Sequence, residues 1–267
     1  MSFEVNHLMT GNVQQEKCLF TRGQKDIKLL LIRLQNYQLK ICDIMPTGSM
    51  KLITSSVIVE SGPRAELNSI HAGLGVRPDI YRDSQLRLTT HWTAFGSAHS
   101  GCSDTRCPGF VQVTKDKRFY LGAIEFPATR FGEPSKSFLL TKIQRDRSTG
   151  NWWLIVDKKD QVHVGYWPKE IFTHLSTGAS KVRFGGETFA AAITVSPPMG
   201  SGKLPQDGFQ YSALMGLLQH IDTNYNEIDL YPAFMKNTPS DYNHKGYWKL
   251  HNSTYQNSAS HSTYQHH

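Results

Sequence analysis

The stretch WWLIVDKKDQVHVGYW, residues 152–167, decides the fold class of this chain. Two arms rich in aromatic and β-branched residues flank the polar sequence DKKDQ, and this is the pattern of two antiparallel strands joined by a short turn. No other part of the chain carries so clear a hairpin signal. We therefore expect a protein built from β-strands.

The sequence on either side of this hairpin has the same character, because short strand-like runs separated by turns extend from about residue 38 to 195. This pattern predicts an all-β protein, an antiparallel two-sheet β-sandwich with one short helix. The helix is expected over PKEIFTHL (168–175), and ALMGLLQHI (213–221) fits either a helix or a strand. The predicted strands include MKLITSSVIVE (50–60), SIHAGLGV (69–76), LRLTTHW (86–92), GFVQV (109–113), RFYLGAIEF (118–126), SFLLTKIQ (137–144) and KVRFGGETFAAAITV (181–195).

Three segments of different character divide the chain. Residues 1–37 form an atypical N-terminal segment, which a truncated pro-region would explain. Residues 38–235 hold the predicted β-sandwich domain. Residues 236–267, in which STYQ occurs twice, are predicted to be a disordered tail. The start of the chain has neither a basic n-region nor an apolar h-region, so no signal peptide is expected.

The charge pattern and the apolar runs of the chain limit the classes of partner that we expect. A net charge of +7 comes from 29 basic and 22 acidic residues, and these are spread along the chain. We find no block of five like charges, so no nucleic-acid partner is predicted. The apolar runs are too short to span a bilayer, and no membrane partner is predicted. The 12 histidines would make the protein more cationic in an acidic compartment.

Two of the four cysteines, Cys102 and Cys107, frame a Gly-, Ser- and Pro-containing loop. A pair five residues apart can close a small disulfide loop in an oxidising compartment. Zinc binding has less support, because there is no second cysteine pair and no neighbouring histidine cluster. The state of Cys18 and Cys42 stays open. Asn252 begins an N-glycosylation sequon that matters only if the chain enters the secretory pathway.

An ordered series of short motifs goes beyond fold class. LNSIHAGLGVRPDIY, LRLTTHWT, GCSDTRCPGFVQV, the hairpin with PKEIFTHL, VRFGGETF and PPMGSG together resemble the plant neprosin family over about residues 40–212. The resemblance implies a β-sandwich glutamic peptidase that cleaves peptide or protein substrates, proline-rich ones included, next to proline at acidic pH. It implies no metal or cofactor, a disulfide between Cys102 and Cys107, and a secreted or vacuolar location.

Two glutamates carry the chemistry in that family, one in a motif I-E-x-G-W and one in F-G-G-E. Glu187 in FGGETF matches the second and is the candidate general base or acid. His71 in SIHAGLGV occupies the place of the first, with Leu74 where the family has Trp. Lys203 follows MGSG where the family commonly shows His. Two neighbouring carboxylates hold one shared proton at acidic pH, so one activates water while the other protonates the leaving nitrogen.

The histidine changes this chemistry. An imidazolium beside Glu187 gives a neutral pair in place of an anionic one, and its charge makes Glu187 a weaker base. The ring also moves the titrating atoms, and a misplacement of ~1 Å can cost ~100-fold in rate. We therefore expect peptidase activity to be much reduced or lost.

Other interpretations stay open from the sequence. The chain could be a catalytically silent β-sandwich that binds proline-rich peptides or cell-wall polymers, or a truncated product without a stable function. His71 could be an ordinary packed histidine. The hairpin aromatics fit a core better than a substrate cleft. The carboxylates that could in principle replace the lost glutamate are Glu60, Glu66 and Asp79.

Overall fold

The computed structural model of the protein describes residues 13–27, 29–35, 52–94, 101–124, 138–157, 160–191, 215–229, 235–236, 250–251 and 254–255. Strands dominate these residues. The strands are β1 (Val13–Ile27), β2 (Leu29–Gln35), β3 (Leu52–Ser61), β4 (Asn68–Val76), β5 (Leu86–Thr93), β6 (Cys102–Ser103), β7 (Val111–Gln112), β8 (Phe138–Arg145), β9 (Trp152–Val156), β10 (Val162–Trp167), β11 (Ala179–Ala191), β12 (Met215–Ile221), β13 (Glu227–Asp229), β14 (Met235–Lys236), β15 (Leu250–His251) and β16 (Thr254–Tyr255).

Helical structure in the described part of the chain is limited to short turns. One α-helical turn, α1, spans Pro78–Tyr81. Single 3-10 turns span Arg64–Glu66, Lys117–Phe119 and Lys169–Ile171. None of these helices is long and apolar enough to cross a membrane.

Two seven-stranded antiparallel sheets hold most of the strands. The first sheet has the order β14-β1-β11-β3-β4-β5-β6, and the second has the order β13-β12-β2-β8-β9-β10-β7. One core draws side chains from both sheets, such as Val57 and Ile70 from the first and Trp152 and Leu154 from the second. Each such side chain contributes roughly 1.5–3 kcal/mol on burial. The predicted all-β, two-sheet sandwich is therefore confirmed.

The hairpin at 152–167 forms as predicted. β9 pairs with β10 from Trp152↔Trp167 to Val162↔Val156, and a bulge interrupts the register between His163 and Gly165. In the segment that fitted either a helix or a strand, Met215–Ile221 form the strand β12. Residues 38–51, the start of the predicted strand-rich region, lie outside the described residues.

The helix predicted over 168–175 is wrong beyond its first turn. The structure keeps only the 3-10 turn at Lys169–Ile171, and Phe172 is already extended. The backbone N–H groups of His174 and Leu175 donate to Oδ1 of Asn68, at 2.6 and 3.1 Å. Asn68 is completely buried. Because these N–H groups donate to a side chain of β4, they are not available for the hydrogen bonds of a helix.

The strand predicted over 118–126 is also wrong in its described part. The Asp116 carboxylate accepts a hydrogen bond from the Arg118 backbone N–H at 3.0 Å and starts a 3-10 turn. Gly122 then takes a φ of +85°, and its N–H donates to the Leu88 carbonyl at 2.8 Å. The apolar alternation reflects a loop that inserts Phe119 into the core.

Strands also form near both ends of the chain. β1 pairs with β11, and β2 pairs with β8, so both sheets receive a strand from the first 37 residues. β15 and β16 pair with each other. The domain limits at residues 37 and 235 stay a prediction.

Candidate active site

His71 lies near the middle of β4, on the face of the first sheet that points away from the shared core. Its neighbours Ile70 and Ala72 point into that core and are fully buried, whereas His71 is half-buried. In the ladder it is opposite Ile58 of β3 and His91 of β5. Residues directly opposite each other share a face. We call this surface the outer face of the first sheet.

The ring of His91 on β5 lies beside that of His71. The two ring centroids are 5.7 Å apart in an edge-to-face arrangement. The Nδ1 atom of His91 lies 3.2 Å from the Ser103 hydroxyl. A Cβ atom at Gly101 would lie 3.2 Å from Cε1 of His91, so the glycine leaves room for the ring. His91 is not among the site residues predicted from the sequence, although it lies in LRLTTHW, the predicted strand that follows SIHAGLGV.

Glu187 lies on β11 and on the same outer face. It is opposite Thr54 of β3, and only 6 % of it is exposed. In the sequence FGGE two glycines precede this glutamate, and the first, Gly185, has a positive φ of 154°, which favours glycine. The structure thus places both candidate residues on one sheet and one face, with β3 between their strands.

The register separates the two candidates along the strands. Across β3, the residue level with His71 is Arg183, while the residue of β4 level with Glu187 is Gly75. An offset of four residues along a strand and two strands across it corresponds to roughly 16 Å between the two Cα atoms. Their side chains are too short to meet over that distance. Joint chemistry would need a substrate or a water between them.

Glu60 is the nearest carboxylate to His71 along the ladder, because it pairs with Ser69, two residues before His71 on β4. Its carboxylate makes an ion pair with Arg183, and the Lys181 ammonium lies 3.8 Å away. Glu60 is only 3 % exposed. Because this buried carboxylate is already paired with the guanidinium, Glu60 is a structural partner of Arg183.

The other two alternative carboxylates lie away from the outer face. Glu66 ends a 3-10 turn, is mostly exposed and lies 3.1 Å from Nε2 of His174. Asp79 is in α1 and makes a two-pronged ion pair with Arg77. Burial raises the pKa of Asp79, but the hydrogen bond and the charge of Arg77 outweigh it and lower that pKa. Neither residue stands in for a catalytic glutamate here.

Cys102 and Cys107 are joined by a disulfide, with their Cα atoms 6.1 Å apart. The resemblance implied this bond. Cys102 is in β6 opposite Trp92, and the next residue, Ser103, is opposite His91. The disulfide therefore fixes the edge strand that contacts His91. In the part of the chain that the structure describes, no group of three His, Cys, Asp or Glu residues could hold a metal ion.

The hairpin aromatics divide between two environments. Trp152 and Trp167 are fully buried in the core, as the sequence favoured. Trp153 and Tyr166 are half-buried on the opposite face of the second sheet. The remaining candidates, Cys42, Lys203 and Asn252, lie outside the described residues, as does the side chain of Cys18.

A comparison with known protein families identifies the family of this chain. The model of the family described as Neprosin matches residues 51–264, which is most of the chain. The chain therefore belongs to the neprosin family, and this membership supports a peptidase-like function. The match also reaches further toward the C-terminus than the sequence motifs do.

Proposed function

We propose that this chain is a neprosin-type glutamic peptidase domain that retains one catalytic glutamate, Glu187, and carries His71 in place of the other. Its activity toward bonds next to proline is strongly reduced or lost. The observation that carries the proposal is the position of both residues on the outer face of the same sheet, with one strand, β3, between their strands.

The surface between the two residues suits an extended peptide. The row that separates them consists of Gly185, Ser56 and Gly73, and Gly75 follows on β4. Without side chains at these glycines, a peptide backbone can come close to the sheet. Ser56 in this row and Glu187 beside it are each only 6 % exposed.

In the full dyad, one carboxylate takes a proton from water, and the water oxygen attacks the carbonyl carbon of the scissile peptide bond. The protonated partner first donates a hydrogen bond to the carbonyl oxygen and then gives its proton to the leaving nitrogen. Glu187 can still act as the base. His71 differs from a glutamate in charge and in the position of its titrating atoms, and its ring also contacts His91.

A cleavage assay on the full chain tests this proposal. A peptide with one internal proline is incubated from acidic to neutral pH with the wild type, with His71→Glu and with the double variant His71→Glu/Glu187→Gln. We expect cleavage in His71→Glu and its loss in the double variant. Adding Glu170→Gln to His71→Glu is the matched control, because Glu170 is exposed on the turn after β10.

A second candidate is a catalytically silent sandwich that binds proline-rich peptides or cell-wall polymers. The offset between Glu187 and Arg183, the residue level with His71, favours it, because the two sites do not meet directly. Folded protein that shows no cleavage in the wild type and none in His71→Glu would support this candidate over the first.

A further inference from the structure

The outer face of the second sheet carries a cleft that the peptidase chemistry does not use. Its volume is about 440 Å3, within the usual ~300–1,000 Å3 of small-ligand sites. All of its lining residues belong to β8, β9, β10 or the turn between β8 and β9. They are Gln144, Asp146, Ser148, Thr149, Asn151, Trp153, Ile155, His163 and Tyr166.

The floor of the cleft is aromatic because of the bulge in β10. Trp153 is directly opposite Tyr166, and Ile155 is directly opposite His163. Residues three apart in a regular strand point to opposite faces, so His163 and Tyr166 share a face only because the register shifts between them. The Trp153 ring centroid lies 4.9 Å from that of Tyr166 and 5.2 Å from that of His163.

The rim of the cleft is polar and carries both acceptors and donors. The Oδ1 atom of Asp146 accepts hydrogen bonds from the backbone N–H and the hydroxyl of both Ser148 and Thr149. These hydrogen bonds lower the pKa of Asp146 to about 2, and the bond from the Thr149 N–H contributes most. The carboxylate is therefore ionised. The Oδ1 atom of Asn151 accepts from the Lys169 N–H at 3.1 Å, and its NH2 group remains a donor.

This combination favours one class of ligand. None of the described residues that line the cleft is Lys or Arg, and Asp146 is anionic, so phosphate-bearing ligands are disfavoured. A polyproline segment offers only carbonyl acceptors, which Asp146 cannot satisfy. Sugar hydroxyls both donate and accept, and the C–H face of a sugar ring packs flat on indole and phenol rings. We propose that this cleft binds a neutral saccharide chain.

The proposal does not depend on Glu187 or His71, since no lining residue comes from the first sheet. Binding of cellohexaose, laminarihexaose and mannohexaose to the full wild-type chain is measured by titration calorimetry, with decaproline as the competing peptide probe. We expect at least one hexasaccharide to bind, and Trp153→Ala to weaken that binding about tenfold or more. Tyr166→Ala, the second variant, should weaken it independently.

The control is Tyr120→Ala, which removes a half-buried tyrosine outside the cleft and should leave binding unchanged. Thermal unfolding verifies that each variant is folded. The proposal is overturned if none of the hexasaccharides binds, or if binding survives both aromatic substitutions. Decaproline binding that depends on Trp153 would overturn it in favour of a peptide site. Cleavage by His71→Glu should not change when Trp153→Ala is added, so the two proposals fail separately.

Discussion

Glu187 and His71 share the outer face of one sheet, yet they are offset by four residues along it, with Arg183 level with His71. The row of Gly185, Ser56 and Gly73 lies between them, and the offset rules out a direct contact of their side chains. Their joint action would therefore operate through a bound peptide and water. The ion pair between Arg183 and Glu60 lies beside this row of residues, and each of the two side chains holds the other in place.

Glu60 stabilises the fold through Arg183. Glu60→Gln leaves a mostly buried guanidinium without its anionic partner, and we expect a loss of about 3 kcal/mol in the free energy of unfolding. Denaturant unfolding measures it. The matched control is Glu66→Gln, which removes the mostly exposed partner of His174 and should cost less than about 1 kcal/mol. Equal effects of the two substitutions would contradict the structural role of Glu60.

The Cys102–Cys107 disulfide stabilises the edge strand β6. Opening a loop of this size should lower the free energy of unfolding by about 2 kcal/mol. The comparison is between the wild type and Cys102→Ser/Cys107→Ser in denaturant without reductant. Adding reductant should bring the wild type close to the variant. Identical stability of the wild type and the variant under oxidising conditions would contradict this prediction.

Tyr81 and Asp104 form a buried polar contact. The Tyr81 hydroxyl donates to Oδ2 of Asp104 at 2.5 Å, and the Thr90 N–H donates to Oδ1 at 2.7 Å. Burial raises the pKa of Asp104, and these bonds oppose the rise. We expect Tyr81→Phe to cost about 1–3 kcal/mol at neutral pH.

The pH dependence of this effect has a definite sign. A carboxyl group whose pKa is raised by folding contributes stability below its unfolded pKa and loses it as the pH rises through the folded value. Tyr81→Phe raises that pKa further, so its cost should be larger at neutral than at acidic pH. Unfolding curves at both pH values measure the difference, with Tyr120→Phe as the control. If the loss in the free energy of unfolding is independent of pH, the Tyr81 hydroxyl does not affect the pKa of Asp104, and the prediction is wrong.

Asp146 should produce the opposite dependence. Folding lowers its pKa from 3.8 to about 2 through the hydrogen bonds of Thr149 and Ser148. Its contribution is therefore present above the ordinary value and is lost as the pH falls toward about 2. Compared with the wild type, Asp146→Asn should show a flatter loss of melting temperature over this range. Asp160→Asn, at an exposed site before β10, should follow the wild type, and a parallel curve for Asp146→Asn would refute the assignment.

The sequence predicts those features that depend on local pattern. The hairpin at 152–167 is recognisable from its apolar arms and charged turn, and its two strands pair as expected. The segment at 118–126 shows the same apolar character, but its described residues, 118–124, form a loop because Asp116 and Gly122 set local turns. The offset between Glu187 and His71 has no local signal, since it depends on how β3 pairs with both neighbouring strands. The cleft at Trp153 likewise depends on a bulge that alternation does not reveal.

The central claim is that His71 occupies a catalytic position from which a carboxylate has been lost. The measurement is kcat/KM for a proline-containing peptide at acidic pH, for the wild type, His71→Glu and His71→Gln. We predict that His71→Glu exceeds the wild type by about 100-fold or more, as expected for a restored acid–base group, while His71→Gln does not. Equal activity of His71→Glu and His71→Gln, or full wild-type activity that His71→Glu does not improve, would contradict the account.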